Sequence, residues 1–197
     1  MVQFGSPAGG MEPPVETWES IERIPHPRIR EIATYWEAKR QGRRAPSRRD
    51  LDPPFEIRAH IAHLFMLDVV EPGPRFRIRL VGTEVTRAVG GDHTGRFLDA
   101  VSPSDHYAEL RQEIEDVVFN FVLRYRVSDM GWQGRRFVRY HRLMMPLSND
   151  QERVNIVFGA GYAIERQPKG APVVPDEAAI PGVSALAARI IPAAAGA

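Results

Sequence analysis

The stretch HLFMLDVVEPGPRFRIRLVGT (residues 63–83) decides the fold, because it contains two apolar runs separated by a strong turn signal. The first run ends at the Pro-Gly-Pro sequence of residues 72–74, and residues 75–81 then alternate arginines with Phe76, Ile78 and Leu80. Such alternation is typical of a strand with one buried face, and two strands around a tight turn form a β-hairpin. The stretch therefore predicts two adjacent antiparallel strands.

Downstream of the hairpin, the sequence predicts short helical pieces, one longer helix and three strands. Helical spacing covers residues 83–89 and 96–101, and an apolar face recurs through residues 102–119. Strand-like runs follow at 121–128, 136–147 and 154–164. Because turn signals separate these strands, we expect them to pair consecutively. The order predicts an α+β fold with a five-stranded antiparallel sheet, short crossing helices and one connecting helix.

Upstream of the hairpin, two amphipathic helices flank the sheet region. Residues 15–22 and 27–42 carry apolar side chains at helical spacing, and two tryptophans are among them. We predict that these helices form a homodimer, with packing inside one chain as the alternative. The predicted dimer contacts are Trp18, Ile21, Ile29, Ile32 and Trp36. The acidic residues Glu16, Glu19 and Glu22 would then face arginine-rich strands of the partner.

Composition divides the chain into four parts. Residues 1–14 and 167–197 are rich in Gly, Pro or Ala, and they predict a flexible leader and a flexible tail. Residues 15–42 are assigned to the N-terminal flanking helices, and residues 43–166 to the sheet domain.

Charge and cysteine content exclude several classes of protein. The net charge of +1 argues against a protein that holds a polyanion through summed charge. The absence of cysteine excludes disulfides, thiolate metal sites and thiol nucleophiles, and it fits a reducing cytoplasm. No run approaches the ~20 apolar residues that span a bilayer. We therefore expect a cytoplasmic protein without a membrane span.

A series of short motifs resembles the signatures of one bacterial subfamily of stand-alone PAS-like proteins, over roughly residues 28 to 164. The resemblance implies a PAS fold and a sensory domain without a catalytic residue set. It implies no universal cofactor, because PAS domains hold haem, flavin, a metabolite or nothing. The motifs are Tyr35-Trp36 with Gly42, Pro46 to Arg48, Asp52-Pro53, His63 to Val69, Phe76 to Thr83, Gly90 with Thr94-Gly95, and Arg142 to Ser148.

A PAS-like sheet predicts a ligand pocket between its inner face and the short helices. Such a pocket would take a small apolar or amphipathic molecule. A fully packed core is the alternative, because the same side chains are the expected core. The candidates are Phe76, Ile78, Leu80, Val89, Phe97, Leu123, Tyr125, Met145, Ile156 and Phe158.

Histidines raise the question of a metal or haem. His60 and His63 share helical spacing, but a transition metal needs further ligands that the sequence does not supply nearby, so we predict no metal site. Haem, with His63 or His106 as the axial ligand, is a lesser alternative. Flavin chemistry through a cysteine adduct is excluded.

Two further patterns keep alternative functions open. The basic cluster Lys39 to Arg49 would suit weak nucleic-acid binding, although cations at a helix end also oppose the helix dipole. Asp92-His93 and Asp105-His106 lie near Ser102 and Ser104, which suggests a small-molecule enzyme on an α+β scaffold, but no nucleophile-elbow motif is present.

The leading prediction is a non-catalytic PAS-type sensory module. It would dimerise and couple the binding of a small ligand, or of a signalling protein whose identity the sequence does not specify, to protein interaction.

Overall fold

The computed structural model describes residues 21–70, 74–102, 104–130 and 135–165. The predicted leader at 1–14, Trp18 with Glu16 and Glu19, and the predicted tail at 167–197 lie outside the described residues. Residues 71–73, which belong to the predicted turn, also lie outside the described residues.

An antiparallel sheet of five strands forms the centre of the described residues. Its strands are β1 (Leu64–Val70), β2 (Arg75–Val81), β3 (Arg124–Met130), β4 (Arg135–Leu147) and β5 (Ile156–Glu165). Their spatial order is β2-β1-β5-β4-β3, so that the first and last strands in the chain pair at the centre. The predicted β1-β2 hairpin and the consecutive pairing of β3, β4 and β5 are confirmed. This is the predicted five-stranded antiparallel sheet of an α+β fold.

The α-helices are α1 (Pro27–Arg40), α2 (Pro53–Glu56), α3 (Thr83–Val89) and α4 (Ser104–Asn120). Pro27 is the first residue of α1, where a backbone N–H would make no hydrogen bond within the helix, so proline costs no helical hydrogen bond there. Gln41 and Gly42 then end α1 with left-handed φ angles of 50° and 77°. Short 3-10 helices at Ile21–Arg23, Arg48–Asp50, Arg58–His63 and Leu98–Ala100 lie between the other elements.

One face of the sheet, which we call the filled face, is covered by α1. Ile29, Ile32 and Trp36 of α1 pack in one apolar cluster with Met145 and Phe158 of the sheet. The Trp36 Nε1–H donates a hydrogen bond to the Pro146 carbonyl at 2.9 Å, so the indole is both buried and satisfied. The helix assigned to a flanking segment is therefore part of the core.

This packing changes the account of the predicted dimer contacts. Ile29 and Ile32 are fully buried and Trp36 is 4% exposed, while Ile21 packs against the same cluster. These side chains are covered within one chain, which was the alternative reading of the sequence. Ile29 and Ile32 have no exposed surface for a second copy to cover, whereas Ile21 is partly exposed and Trp18 lies outside the described residues, so the dimer stays a prediction.

The opposite face of the sheet, which we call the cavity face, is covered by α3 and α4. Leu110, Ile114 and Val117 of α4 pack against apolar side chains of β1 and β2. Ala88 of α3 packs against Tyr140 in β4. Because side chains alternate along a strand, neighbouring residues of β4 serve different faces: Met144 lies on the cavity face and Met145 on the filled face.

A β-bulge interrupts the alternation that the sequence predicts for β2. Leu67 pairs with Ile78 and Met66 with Leu80, so Arg79 has no opposite residue in β1. An extra residue in one strand reverses the direction of the side chains beyond it. Leu80 is therefore 42% exposed instead of sharing the buried face of Phe76 and Ile78.

Candidate functional site

A cavity of about 280 Å³ lies on the cavity face, between the sheet and helices α3 and α4. Most of its lining is apolar, with a smaller group of polar side chains. The lining residues are Phe65, Leu67, Ile78, Val81, Val85, Val89, His93, Leu98, Val101, Ser102, His106, Leu110, Tyr140, Arg142 and Met144. The cavity is close to the lower end of the ~300–1,000 Å³ that small-molecule sites occupy.

Glycines in β5 shape one wall of this cavity. A Cβ atom at Gly161 would clash with the Tyr140 hydroxyl, and a Cβ atom at Gly159 would clash with the Phe65 ring and the Leu143 carbonyl. The two rings therefore lie against the bare backbone of β5 and form part of the cavity wall. Glycine inside a strand is a known sign of close approach, so the Gly-Ala-Gly sequence at 159–161 was a signal that the sequence analysis missed.

Arg142 is the charged residue of the cavity lining. The whole residue is 8% exposed, and its Nη2 donates to the Glu113 carboxylate of α4. Its Nε–H has no hydrogen-bond partner among the described residues. Nothing local in the sequence distinguishes Arg142, because β4 also contains Arg135, Arg136 and Arg139, and Arg142 was named there only as part of a motif.

Glu113 holds two arginines at once. Its carboxylate accepts from Arg142 and also from Arg126 of β3. Burial alone raises the pKa of Glu113, but the charges of Arg142 and Arg126 outweigh burial and hold the pKa below its ordinary value. The carboxylate is therefore ionised at neutral pH and links α4 to two strands.

His106 lines the same cavity from α4. Burial, and after it the positive charge of Arg142, lower the pKa of His106. The imidazole is therefore neutral at pH 7 and has one N–H donor and one acceptor nitrogen.

The predicted pocket residues fall on both faces of the sheet. Ile78 and Val89 line the cavity, and Phe76 packs in the same apolar cluster as Ile78. Tyr125, Met145, Ile156 and Phe158 belong to the filled face, and Leu123 packs against that cluster. The Arg75 guanidinium carbon lies over the Phe97 ring, 3.7 Å from the centroid of that ring. The alternation of side chains along the strands predicted which residues share a face of the sheet, but not on which face the cavity lies.

Histidines gather on the filled face around Tyr162. The His63 ring stacks on Tyr162 with centroids 3.7 Å apart, and His60 Nδ1 lies 2.8 Å from the Tyr162 hydroxyl. His60 Nε2 lies 2.9 Å from a Glu31 carboxylate oxygen. His141 Nδ1 lies 2.6 Å from the Tyr125 hydroxyl, and burial lowers the pKa of His141 to about 4. The chain itself thus provides partners for these imidazoles.

These positions bear on the metal and haem alternatives. The described residues contain no group of three or more His, Asp or Glu side chains that could hold a metal ion. Of the two haem candidates, His63 lies on the filled face and His106 lines the cavity.

The residues of the enzyme alternative lie partly together. Ser102, His93 and His106 all line the cavity. The Asp92 carboxylate instead accepts hydrogen bonds from the backbone N and the Oγ1 of Thr94, at 2.9 and 2.7 Å, and so closes a turn. The side chains of Ser104 and Asp105 lie outside the described residues.

Local partners take up much of the positive charge that the sequence singled out. In the basic cluster, Arg44 donates to the Gln151 carbonyl at 3.2 Å and Arg48 to the Leu51 carbonyl at 2.9 Å. Ion pairs of the cluster and of the arginine-rich strands include Lys39–Glu56, Arg40–Glu37, Arg43–Asp50, Arg75–Asp99, Arg77–Asp68, Arg79–Asp68, Arg124–Asp116 and Arg126–Glu109. These pairs leave less charge for phosphates or for an acidic helix of a partner.

Comparison with known proteins gives a family match. A family model described as a PAS domain matches residues 24–161, which include α1 as well as the whole sheet up to the middle of β5. A solved structure that resembles the chain is the crystal structure of the Rhodobacter sphaeroides LOV protein, at 17% identity and a TM-score of 0.39, covering 60% of this chain and 72% of that one. No curated protein sequence matches the chain. Among the described helices, none combines the length and apolar character needed to cross a bilayer.

Proposed function

The chain belongs to the PAS domain family, and from this premise we propose that it is a non-catalytic sensor whose signal is a small molecule bound on the cavity face. A PAS domain is, in general, a sensory and regulatory module. The observation that carries the proposal is the cavity of about 280 Å³, which lies within the range of the family match and has a mainly apolar lining with a few polar groups. That composition is typical of small-molecule sites.

The same proposal includes an output through α4. His106 and Leu110 of this helix line the cavity, and Glu113 one turn further on binds Arg142. A ligand that competes for Arg142 would change how α4 is held. Phe119, near the end of α4, is 62% exposed. We therefore propose that ligand binding alters the contacts of this helix end with a second copy of the chain or with a signalling protein, in the cytoplasm.

Native mass spectrometry of gently purified protein tests the first part. We expect a bound small molecule that is lost on denaturation. Val85→Phe, which fills the cavity from α3, should remove it, because Val85 lines the cavity and is 5% exposed. Val127→Phe, on the filled face, is the matched control and should retain it. An empty wild-type protein that no small molecule stabilises against heat would refute the proposal.

Light scattering tests the output. The mass of the full chain, with and without the bound molecule, should change, and Phe119→Ser should remove that change without removing the ligand. A mass that depends on neither would refute coupling through a second copy of the chain and would leave a signalling protein as the proposed partner. Robust turnover of a small molecule, abolished in His106→Ala, would instead favour the enzyme alternative.

A further inference from the structure

We infer that the ligand of the cavity is an apolar carboxylic acid, whose carboxylate binds the guanidinium of Arg142. The inference rests on the proposed function, because it names the chemical class of the molecule that the cavity takes. It depends on three features of Arg142 and its surroundings: its burial, its incomplete pairing and the lining next to it.

The first feature is an excess of buried positive charge. Side-chain exposure is 9% for Arg142, 17% for Arg126 and 12% for Glu113, so two guanidiniums share one buried carboxylate. Arg126 also contacts Glu109 at 3.2 Å, but that side chain is 52% exposed and water screens it. A buried charge without full compensation is costly, and a second carboxylate at Arg142 would remove the excess.

The second feature is an unused donor. Arg142 donates from Nη2 to Glu113, while its buried Nε–H has no partner among the described residues. Buried N–H groups are nearly always paired, and an unpaired one costs about 1–3 kcal/mol. Arginine presents its donors in a planar fork that matches a carboxylate, so a ligand carboxylate would pair the guanidinium in a way that a point-like acceptor would not.

The third feature is the rest of the lining. The described lining residues include no aspartate or glutamate that would repel an anion. The imidazole of His106 also lines the cavity and is neutral, so it adds no charge to that of Arg142. The remaining lining is dominated by aliphatic and aromatic side chains such as Phe65, Val85 and Leu98. A small acid with an aromatic or short aliphatic body matches both parts, whereas a highly charged phosphate ester would place further charge against apolar walls.

A matched pair of probes tests the inference on the full chain. Isothermal titration calorimetry at pH 7 compares 3-phenylpropionate with 3-phenylpropanamide, which have the same shape but differ in charge. We expect the acid to bind about 10- to 100-fold more tightly, the range typical of one charge-assisted pairing. Arg142→Met should abolish the preference. Arg124→Met is the matched control and should keep it, because Arg124 pairs with Asp116 of α4 and does not line the cavity.

The outcomes separate this inference from the proposed function. Equal affinities for acid and amide, or a preference that survives in Arg142→Met, would overturn the carboxylate while leaving a ligand-binding cavity. A neutral occupant found by mass spectrometry would do the same, and an acidic occupant would support the inference. Absence of any occupant together with failure of both probes would refute the proposed function itself. If Arg142→Met does not fold, Arg142→Lys keeps the charge without the planar fork and should reduce the preference.

Discussion

The two faces of one sheet differ in what covers them, and β5 shows the difference residue by residue. On the filled face, β5 presents Ile156, Phe158 and Tyr162, which pack in the cluster that α1 covers. On the cavity face it presents Val157, Gly159 and Gly161, against which neighbouring rings lie. The same strand therefore contributes volume to one side and leaves room on the other. Under the proposed function, one face of this sheet therefore serves stability and the opposite face serves ligand binding.

The largest expected effect comes from neighbouring methionines that serve different faces. Met145 is fully buried on the filled face, and Met144 lines the cavity. Met145→Ala should lower the free energy of unfolding by about 2–5 kcal/mol, the usual range for a buried methionine. Met144 is itself only 1% exposed, but the space vacated in Met144→Ala joins the existing cavity, so the cost should fall at the lower end of that range, about 2 kcal/mol. Urea unfolding measures both, and equal losses would contradict the contrast between the faces.

A smaller effect is expected when the cavity wall is pushed inward. Gly161→Ala places a methyl group against the Tyr140 hydroxyl, and such overpacking costs about 1–3 kcal/mol of unfolding free energy. Because Tyr140 lines the cavity, its displacement should also weaken the binding of 3-phenylpropionate. Gly91→Ala is the matched control: its Cβ would meet only ordinary contacts with the His93 ring, at 3.4 and 3.6 Å. Unchanged binding in Gly161→Ala would show that the glycine does not shape the site.

The smallest expected effect is a pH dependence that originates mainly on the filled face. Burial lowers the pKa of His141 to about 4 from an ordinary 6.5, so between these values the unfolded chain binds a proton that the folded chain does not. Stability from this group is complete above pH 6.5 and is lost as the pH falls to 4. Burial lowers the pKa values of His26 and His63 as well, and their contributions have the same sign.

The matched variant for this prediction is His141→Asn, whose Oδ1 can accept the Tyr125 hydroxyl. Between pH 6.5 and 4 both proteins should lose unfolding free energy. The loss in the variant should be smaller than in the wild type by on the order of 1–2 kcal/mol, after allowance for the partial exposure of the imidazole. Chemical unfolding at a series of pH values measures the difference. An identical slope in both proteins would rule out His141 as its source.

The sequence predicted the elements of the fold well because each has a local signal. The predicted helix at residues 83–89 coincides with α3, and the alternation of residues 136–147 corresponds to β4. What the sequence did not show depends on contacts between distant residues. The alternation along the strands correctly places Tyr125 and Met145 on the same face. The local sequence does not show whether α1 or α4 covers that face. The bulge at Arg79 likewise arises from pairing with β1 and displaced Leu80 from the predicted face.

The site was less predictable than the fold for the same reason. Arg142 is recognisable as unusual only when its burial and its shared carboxylate are known, because an arginine in an alternating strand ordinarily faces water. Gly159 and Gly161 give a sequence signal, but its meaning depends on rings that come from β1 and β4.

The most direct test of the central claim is NMR of the full chain labelled with ¹³C-methyl methionine. Met144 on the cavity face and Met145 and Met66 on the filled face report separately on the two sides of one sheet, with assignments from Met144→Leu and Met145→Leu. On titration with 3-phenylpropionate, the account predicts a saturable shift of the Met144 methyl signal and little change at Met145 and Met66. A response confined to Met145 and Met66 would contradict the assignment of binding to the cavity face.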